Sequence, residues 1–186
     1  SVSAARRDPI SVSVESFRAQ VSWLARHGWR GVTLGEYLAA PAPRWGLVAF
    51  TFDDGYADVA QHAAHVLETE GWRATLFVVT GLLGTDKMLK PERYLEKYGG
   101  RPDDYRILTW EAVGALAKRG YEIGSHSVTH PLLTRLPDEE ARHEIAESKR
   151  MLETRLGGTV RWLCYPSGDH DARIVNLVRE SVERED

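Results

Sequence analysis

Leu47-Val48-Ala49-Phe50-Thr51-Phe52-Asp53-Asp54-Gly55 is an apolar run that breaks into two carboxylates and a glycine. Its first six residues are rich in strand formers and predict a buried β-strand. A strand that delivers polar side chains at its C-terminal end is how α/β folds build their sites. A second stretch repeats the pattern: Tyr121-Glu122-Ile123-Gly124 reads as a strand and leads into His126-Ser127-Val128-Thr129-His130-Pro131. Two carboxylates and two imidazoles at strand ends are the ingredients of a catalytic metal site. Such a site takes about three protein ligands, an open position for water and a nearby base.

Outward from these two stretches, the chain alternates strand and helix patterns, which predicts an α/β architecture with a parallel sheet. Helices are expected over residues 14–27, with Phe17, Val21 and Leu24 at helical spacing and Gly28 as a stop, and over 35–40 as a short turn. Another helix is expected over 58–70, with Val59, Ala63, Val66 and Leu67 facing inward. Thr109 can cap one over 110–119. Residues 138–156 carry the clearest helical pattern, with Ile145, Ser148, Met151, Leu152 and Leu156 inward and Gly157-Gly158 ending it. Asp171 can cap a last helix through Ile174, Leu177 and Val178. Further strands are expected over 74–80 and 160–165. Residues 81–108 are rich in glycine and charge and too long for a tight connection, so they read as an insertion or functional loop.

The 186 residues fit one domain, taken as 1–186, and suffice for a real core. A net charge of −3 without blocks of like charge points away from nucleic acid and from membrane surfaces. Cys164 is the only cysteine, so an intramolecular disulfide and a thiolate cluster are both excluded. No apolar run is long enough to span a bilayer. Residues 1–8 lack the apolar core of a signal peptide.

Taken alone, Asp53-Asp54-Gly55 is also a common turn sequence. The strand before it sharpens the functional reading. Adjacent side chains on an extended backbone point opposite ways, so one carboxylate can bind a metal while the other faces its water. Single histidines are usually surface or core residues, but two on a tight loop after a strand are harder to dismiss. Asp54, His126 and His130 together would make a His2Asp site suited to zinc or another divalent transition ion. His62 and His65, three apart on a helix, read better as an amphipathic surface. His27, His143 and His170 read as helix-end or surface residues, with His170 just after the Pro166-Ser167-Gly168 turn. Most of the six tryptophans read as core, with one or two able to stack on sugar faces if they lie near the site.

These motifs resemble the polysaccharide deacetylases that share the NodB homology domain, carbohydrate esterase family 4. Thr51-Phe52-Asp53-Asp54-Gly55 matches the first family motif, and His126-Ser127-Val128-Thr129-His130-Pro131 the second. Ala74 to Val78, Tyr121 to Ser125, and the lead-in helix with Phe17, Gln20 and Leu24 are also similar to the family. The resemblance implies a distorted, incomplete (β/α) barrel with its site at the strand C-terminal ends. It implies Asp53 as general base and Asp54, His126 and His130 as ligands of a divalent metal, zinc first, with Co2+ or Ni2+ as alternatives. Cys164-Tyr165-Pro166-Ser167-Gly168 stands at the third motif, where the Ser167 N–H would donate to an oxyanion.

Two departures stand out. Many members carry an arginine that orients the catalytic aspartate, and here that position is Cys164. The family's late aspartate-tryptophan and leucine-x-histidine segments, the latter supplying a general acid, have no match after Asp171. The sequence is therefore expected to lack a C-terminal segment and its last barrel elements. The implied activity is removal of N-acetyl groups from an N-acetylglucosamine-containing glycan, with release of acetate. The alternatives are hydrolysis of an O-acetyl ester or small amide, and glycan binding without catalysis. The resemblance places the protein outside the cytoplasm or at the cell wall. It names an acetylated glycan as partner and leaves the oligomeric state open.

Overall fold

Four helices start where a side-chain oxygen is available to the first turn. Ser13 accepts from the Ser16 N–H at 3.1 Å and opens α1 (Val14–Arg26). Thr33 and Glu36 form a reciprocal capping box on α2 (Leu34–Ala39). Thr109 opens α4 (Trp110–Lys118), and Asp171 accepts from the Ile174 N–H at 2.8 Å at the head of α6 (Ala172–Glu183). The long α5 (Asp138–Leu156) has no side-chain cap. Asp138, Glu139 and Glu140 instead place negative charge in its first turn, and Gly157 ends it in the left-handed region at φ 74°. The structure, a computed structural model, describes residues 1–3, 9, 11–87, 89, 96–97 and 102–183. Most of the 1–8 stretch and much of the 81–108 loop therefore lie outside the described residues.

The strands are short and parallel. β1 (Val2–Ser3) pairs with β2 (Val12–Ser13), and β3 (Arg30–Val32) with β4 (Leu47–Ala49). β5 (Thr51–Phe52), β6 (Thr75–Val78) and β7 (Glu122–Ser125) make a three-stranded sheet in that order. The run from Leu47 to Phe52 was expected as one strand but changes partner at Phe50. Before that residue it pairs with β3 and after it with β6, with Phe52 opposite Leu76. The 160–165 segment, expected as a strand, touches the sheet through one parallel bridge, Ser125 to Leu163. The architecture is thus mixed α/β with no closed barrel among the described residues, in keeping with the incomplete barrel that the family resemblance implied.

The helix expected over 58–70 contains a π-helical turn, Val59–Ala63, before it settles into α3 (Ala64–Thr69). Its inward set is as the periodicity predicts: Val59, Ala63, Val66 and Leu67 are all buried. They pack with Phe17 and Val21 of α1, Leu76 and Val78 of β6, and Val113 and Leu116 of α4 in the main core. Each of the valine, leucine and phenylalanine side chains among them, fully buried, stabilises the fold by about 1.5–3 kcal/mol. A second apolar cluster, Leu133, Ala141, Ile145, Ile174 and Leu177, joins α5 to α6. On α5, Ile145, Ser148 and Leu152 are buried as expected, but so are Glu144 and Lys149, which the periodicity did not place inside.

Because every strand runs the same way, β5, β6, β7 and the Leu163 bridge all end at one edge of the sheet. The residues that follow them meet there.

Candidate metal centre and cleft

Beyond Phe52 the two carboxylates part. Asp53 is exposed, while Asp54 turns inward through the left-handed region at φ 72° and is 8% exposed. Two strands over, past the end of β7, the His126 N–H donates to the Val78 carbonyl of β6 at 3.0 Å and extends the ladder by one residue. His126 itself is 2% exposed.

The His126 ring is oriented by a main-chain oxygen. Its Nδ1 lies 2.8 Å from the Cys164 carbonyl, which can only accept, so Nδ1 carries the proton. That leaves Nε2 turned to Asp54 Oδ1 at 3.5 Å, and His130 Nε2 reaches the same oxygen at 3.4 Å. The two rings stand edge to face with centroids 4.8 Å apart. One ligand atom from each of Asp54, His126 and His130 lies within 4.8 Å of the other two.

A carboxylate and two imidazole nitrogens gathered behind the protein surface fit a divalent transition ion. The donor types are right, the His126 tautomer is the one that coordinates, and its other nitrogen has the outer partner such ligands usually have. The electrostatics agree. Burial of His126 opposes a positive charge, but hydrogen bonding to the Asp54 carboxylate and the Cys164 carbonyl outweighs it and raises the pKa to about 10. The pocket attracts positive charge at Nε2, where a cation would sit in the proton's place.

Asp53 reaches the same centre from the exposed side. Asp53, His126 and Cys164 also offer atoms within 4.8 Å of one another. The thiol thus stands beside the aspartate that the family's arginine was expected to orient. Asp53, Asp54, His126, His130, Ser167 and His170 all line one cleft of about 680 Å³. Ser167 is held in the left-handed region at φ 58°.

His170 was read as a surface or helix-end residue. It stacks on Tyr165, with centroids 4.9 Å apart and planes 16° from parallel, and its Nδ1 is 2.9 Å from the Gly168 carbonyl. The Pro166-Ser167-Gly168 turn was the only signal of its place. His62 and His65 join no metal-binding group among the described residues. None of the tryptophans lines the cleft; Trp45, at 82% exposure, and Trp23 lie in the open elsewhere.

The polysaccharide deacetylase family profile matches residues 42–181, a span that holds both motifs and the turn at Ser167. This chain belongs to the polysaccharide deacetylase family. Among the family's proteins, Bacillus subtilis YxkH, provisionally named a polysaccharide deacetylase, is 26% identical over 176 residues. The match covers 92% of this deacetylase-family chain and 56% of YxkH, so the chain spans little more than half of that relative.

Solved structures show the same fold. The Streptococcus pyogenes deacetylase PplD, solved with acetate, superposes with a TM-score of 0.76 at 21% identity, over 94% of this chain and 72% of PplD. IcaB from Ammonifex degensii superposes with a TM-score of 0.76 at 24% identity, over 97% of this chain and 77% of its own. No helix among the described residues is long and apolar enough to cross a membrane.

Proposed function

We propose that this protein is a metal-dependent hydrolase that removes N-acetyl groups from an N-acetylglucosamine-containing glycan and releases acetate. The observation that carries the reading is the convergence of Asp54, His126 and His130 on one point, with Asp53 beside them on the open side of the cleft. Asp54, His126 and His130 would hold a divalent cation, zinc before Co2+ or Ni2+. Such an ion polarises the acetyl carbonyl and brings the pKa of a water it holds down to about 7.

The protein's own groups do the rest. Asp53 accepts the proton as water attacks the carbonyl carbon, a role its exposure to the cleft permits. The Ser167 N–H donates to the oxygen that gains negative charge, and one such donor is typically worth about 3 kcal/mol. The Cys164 carbonyl keeps the His126 proton on Nδ1, so that Nε2 stays turned to the centre. The leaving amine needs a proton donor before the amino sugar departs. An acetylated polysaccharide as substrate, and a location outside the cytoplasm, belong to this same reading.

The test is acetate release from N-acetylglucosamine oligomers, measured as purified, after chelation, and after zinc is returned. Chelation should abolish release and zinc should restore it. Asp53→Asn should retain zinc yet lose about 10²–10⁴-fold in turnover, the usual range for a general base. Undiminished turnover in that variant would remove Asp53 from the reaction. Glycan binding without acetate release would leave the fold as a binding module.

A further inference from the structure

Residues 126–130 form a turn in which Ser127 and His130 both adopt φ 64°, a left-handed conformation unusual for residues other than glycine. This turn is what swings both imidazoles onto one point. No strand ladder holds it beyond His126, so each of its polar groups must be satisfied some other way. The Ser127 N–H lies 3.3 Å from Ser125 Oγ, and the His130 N–H donates to Ser127 Oγ at 3.0 Å. The Ser127 and Val128 carbonyls accept from the N–H groups of Thr80 and Gly81 at 3.1 and 2.8 Å.

The two remaining amides, of Val128 and Thr129, and the Thr129 hydroxyl go to a single side chain, Glu144. Its Oε2 accepts the N–H of Val128 and of Thr129, each at 2.8 Å, and its Oε1 accepts the Thr129 hydroxyl at 2.7 Å. Glu144 is 8% exposed. One turn further along α5, Ser148 donates or accepts at 2.8 Å with Ser125 Oγ, the oxygen beneath Ser127. The turn is thus gripped from two sides: its carbonyls by the backbone at Thr80 and Gly81, its amides by Glu144. Gly81 has no Cβ for a reason, since one would lie 2.6 Å from the Val128 carbonyl oxygen.

We infer that Glu144 is a positioning residue for the metal centre. Through its three hydrogen bonds to Val128 and Thr129 it holds the 126–130 turn in the conformation that brings His126 and His130 together. The inference rests on the proposed function for the identity of the bound ion, but the grip itself does not depend on an ion. Hydrogen-bond geometry carries the effect. A glutamine at 144 can place its carbonyl oxygen on the two amides and its NH2 on the Thr129 oxygen, which then accepts.

The experiment measures zinc affinity of the metal-free protein by chelator competition, and amide exchange at Val128 and Thr129. Glu144→Ala should weaken zinc binding by about 10–100-fold, the range typical of lost outer partners of a metal ligand. Glu144→Gln should restore most of that affinity. Glu153→Ala is the control. Glu153 sits on the same helix and accepts from Lys149 Nζ and the Val160 N–H at 2.8 Å each, away from the turn. It should lower the melting temperature and leave zinc affinity as it was.

Equal zinc affinity in wild type and Glu144→Ala would overturn the inference, and so would an equal loss in Glu153→Ala. Should the wild-type protein bind no zinc, the proposed function falls and exchange decides about Glu144. Faster exchange at Val128 and Thr129 in Glu144→Ala, and not in Glu153→Ala, supports the grip; unchanged exchange refutes it.

Discussion

The same sheet carries a shielded carboxylate at each end, and the two live in opposite company. At the N-terminal edge, Glu122 of β7 is surrounded by donors. Its Oε2 accepts from the Gly35 N–H at 3.0 Å and the Thr75 hydroxyl at 2.7 Å, and its Oε1 from Trp162 Nε1 at 2.8 Å. At the C-terminal edge, Asp54 faces two imidazole nitrogens at 3.4 and 3.5 Å. With Nδ1 of His126 protonated, the nitrogen facing Asp54 bonds to it through a second positive species, a proton in the metal-free protein or a cation in its place. A carboxylate met by donors ties a fold together. A carboxylate that shares a positive charge with imidazole nitrogens can exchange that proton for a metal ion, which is what a candidate metal site needs.

Substitutions at the two ends should therefore separate binding from stability. Asp54→Asn should have the largest effect, weakening zinc binding beyond the roughly 100-fold that loss of an outer partner can cost. Equilibrium dialysis of the metal-free variant against zinc would check it.

A change of pH comes next. The His126 pKa of about 10 in the metal-free protein lies above its ordinary value, so the proton on Nε2 must leave before zinc can enter. Below that pKa, zinc affinity should fall about tenfold for each unit of lowered pH through this group alone. The raised pKa also stabilises the metal-free fold. That contribution is fully present below the ordinary histidine value and is lost as pH rises through about 10, which pH-dependent unfolding of the metal-free protein would show.

Glu122→Ala should do least to the site. It strands the donors of Gly35, Thr75 and Trp162 and should cost about 1–3 kcal/mol in urea unfolding, with zinc affinity unchanged. A loss of affinity in this variant would mean that the two ends are coupled.

How much of this was legible in the sequence depends on the range of the interaction. Local signals carried the long helices: Thr109 and Asp171 cap where their chemistry predicts, and Gly157 stops α5. The two short motifs made Asp53, Asp54, His126 and His130 visible because their ligand types cluster in the chain before they cluster in space. Pairing over long distances was less legible. Nothing within Leu47 to Phe52 announces the change of partner at Phe50, and nothing in the β-rich 160–165 segment limits it to one bridge. The π-helical turn at Val59–Ala63 leaves the inward residues of its helix unchanged, so their periodicity could not reveal it. Glu144 is one acid among many on a charged helix, and its burial follows only from where the 126–130 turn lies.

The atom that sets the His126 tautomer is a peptide oxygen. Every amino acid brings one, so the orientation of this imidazole is indifferent to which side chain occupies position 164. The chain can carry a thiol where the family resemblance implies a guanidinium and still present the same ring nitrogen inward. Exchanging that side chain would alter what stands next to Asp53 while the histidine beside it keeps its bearing.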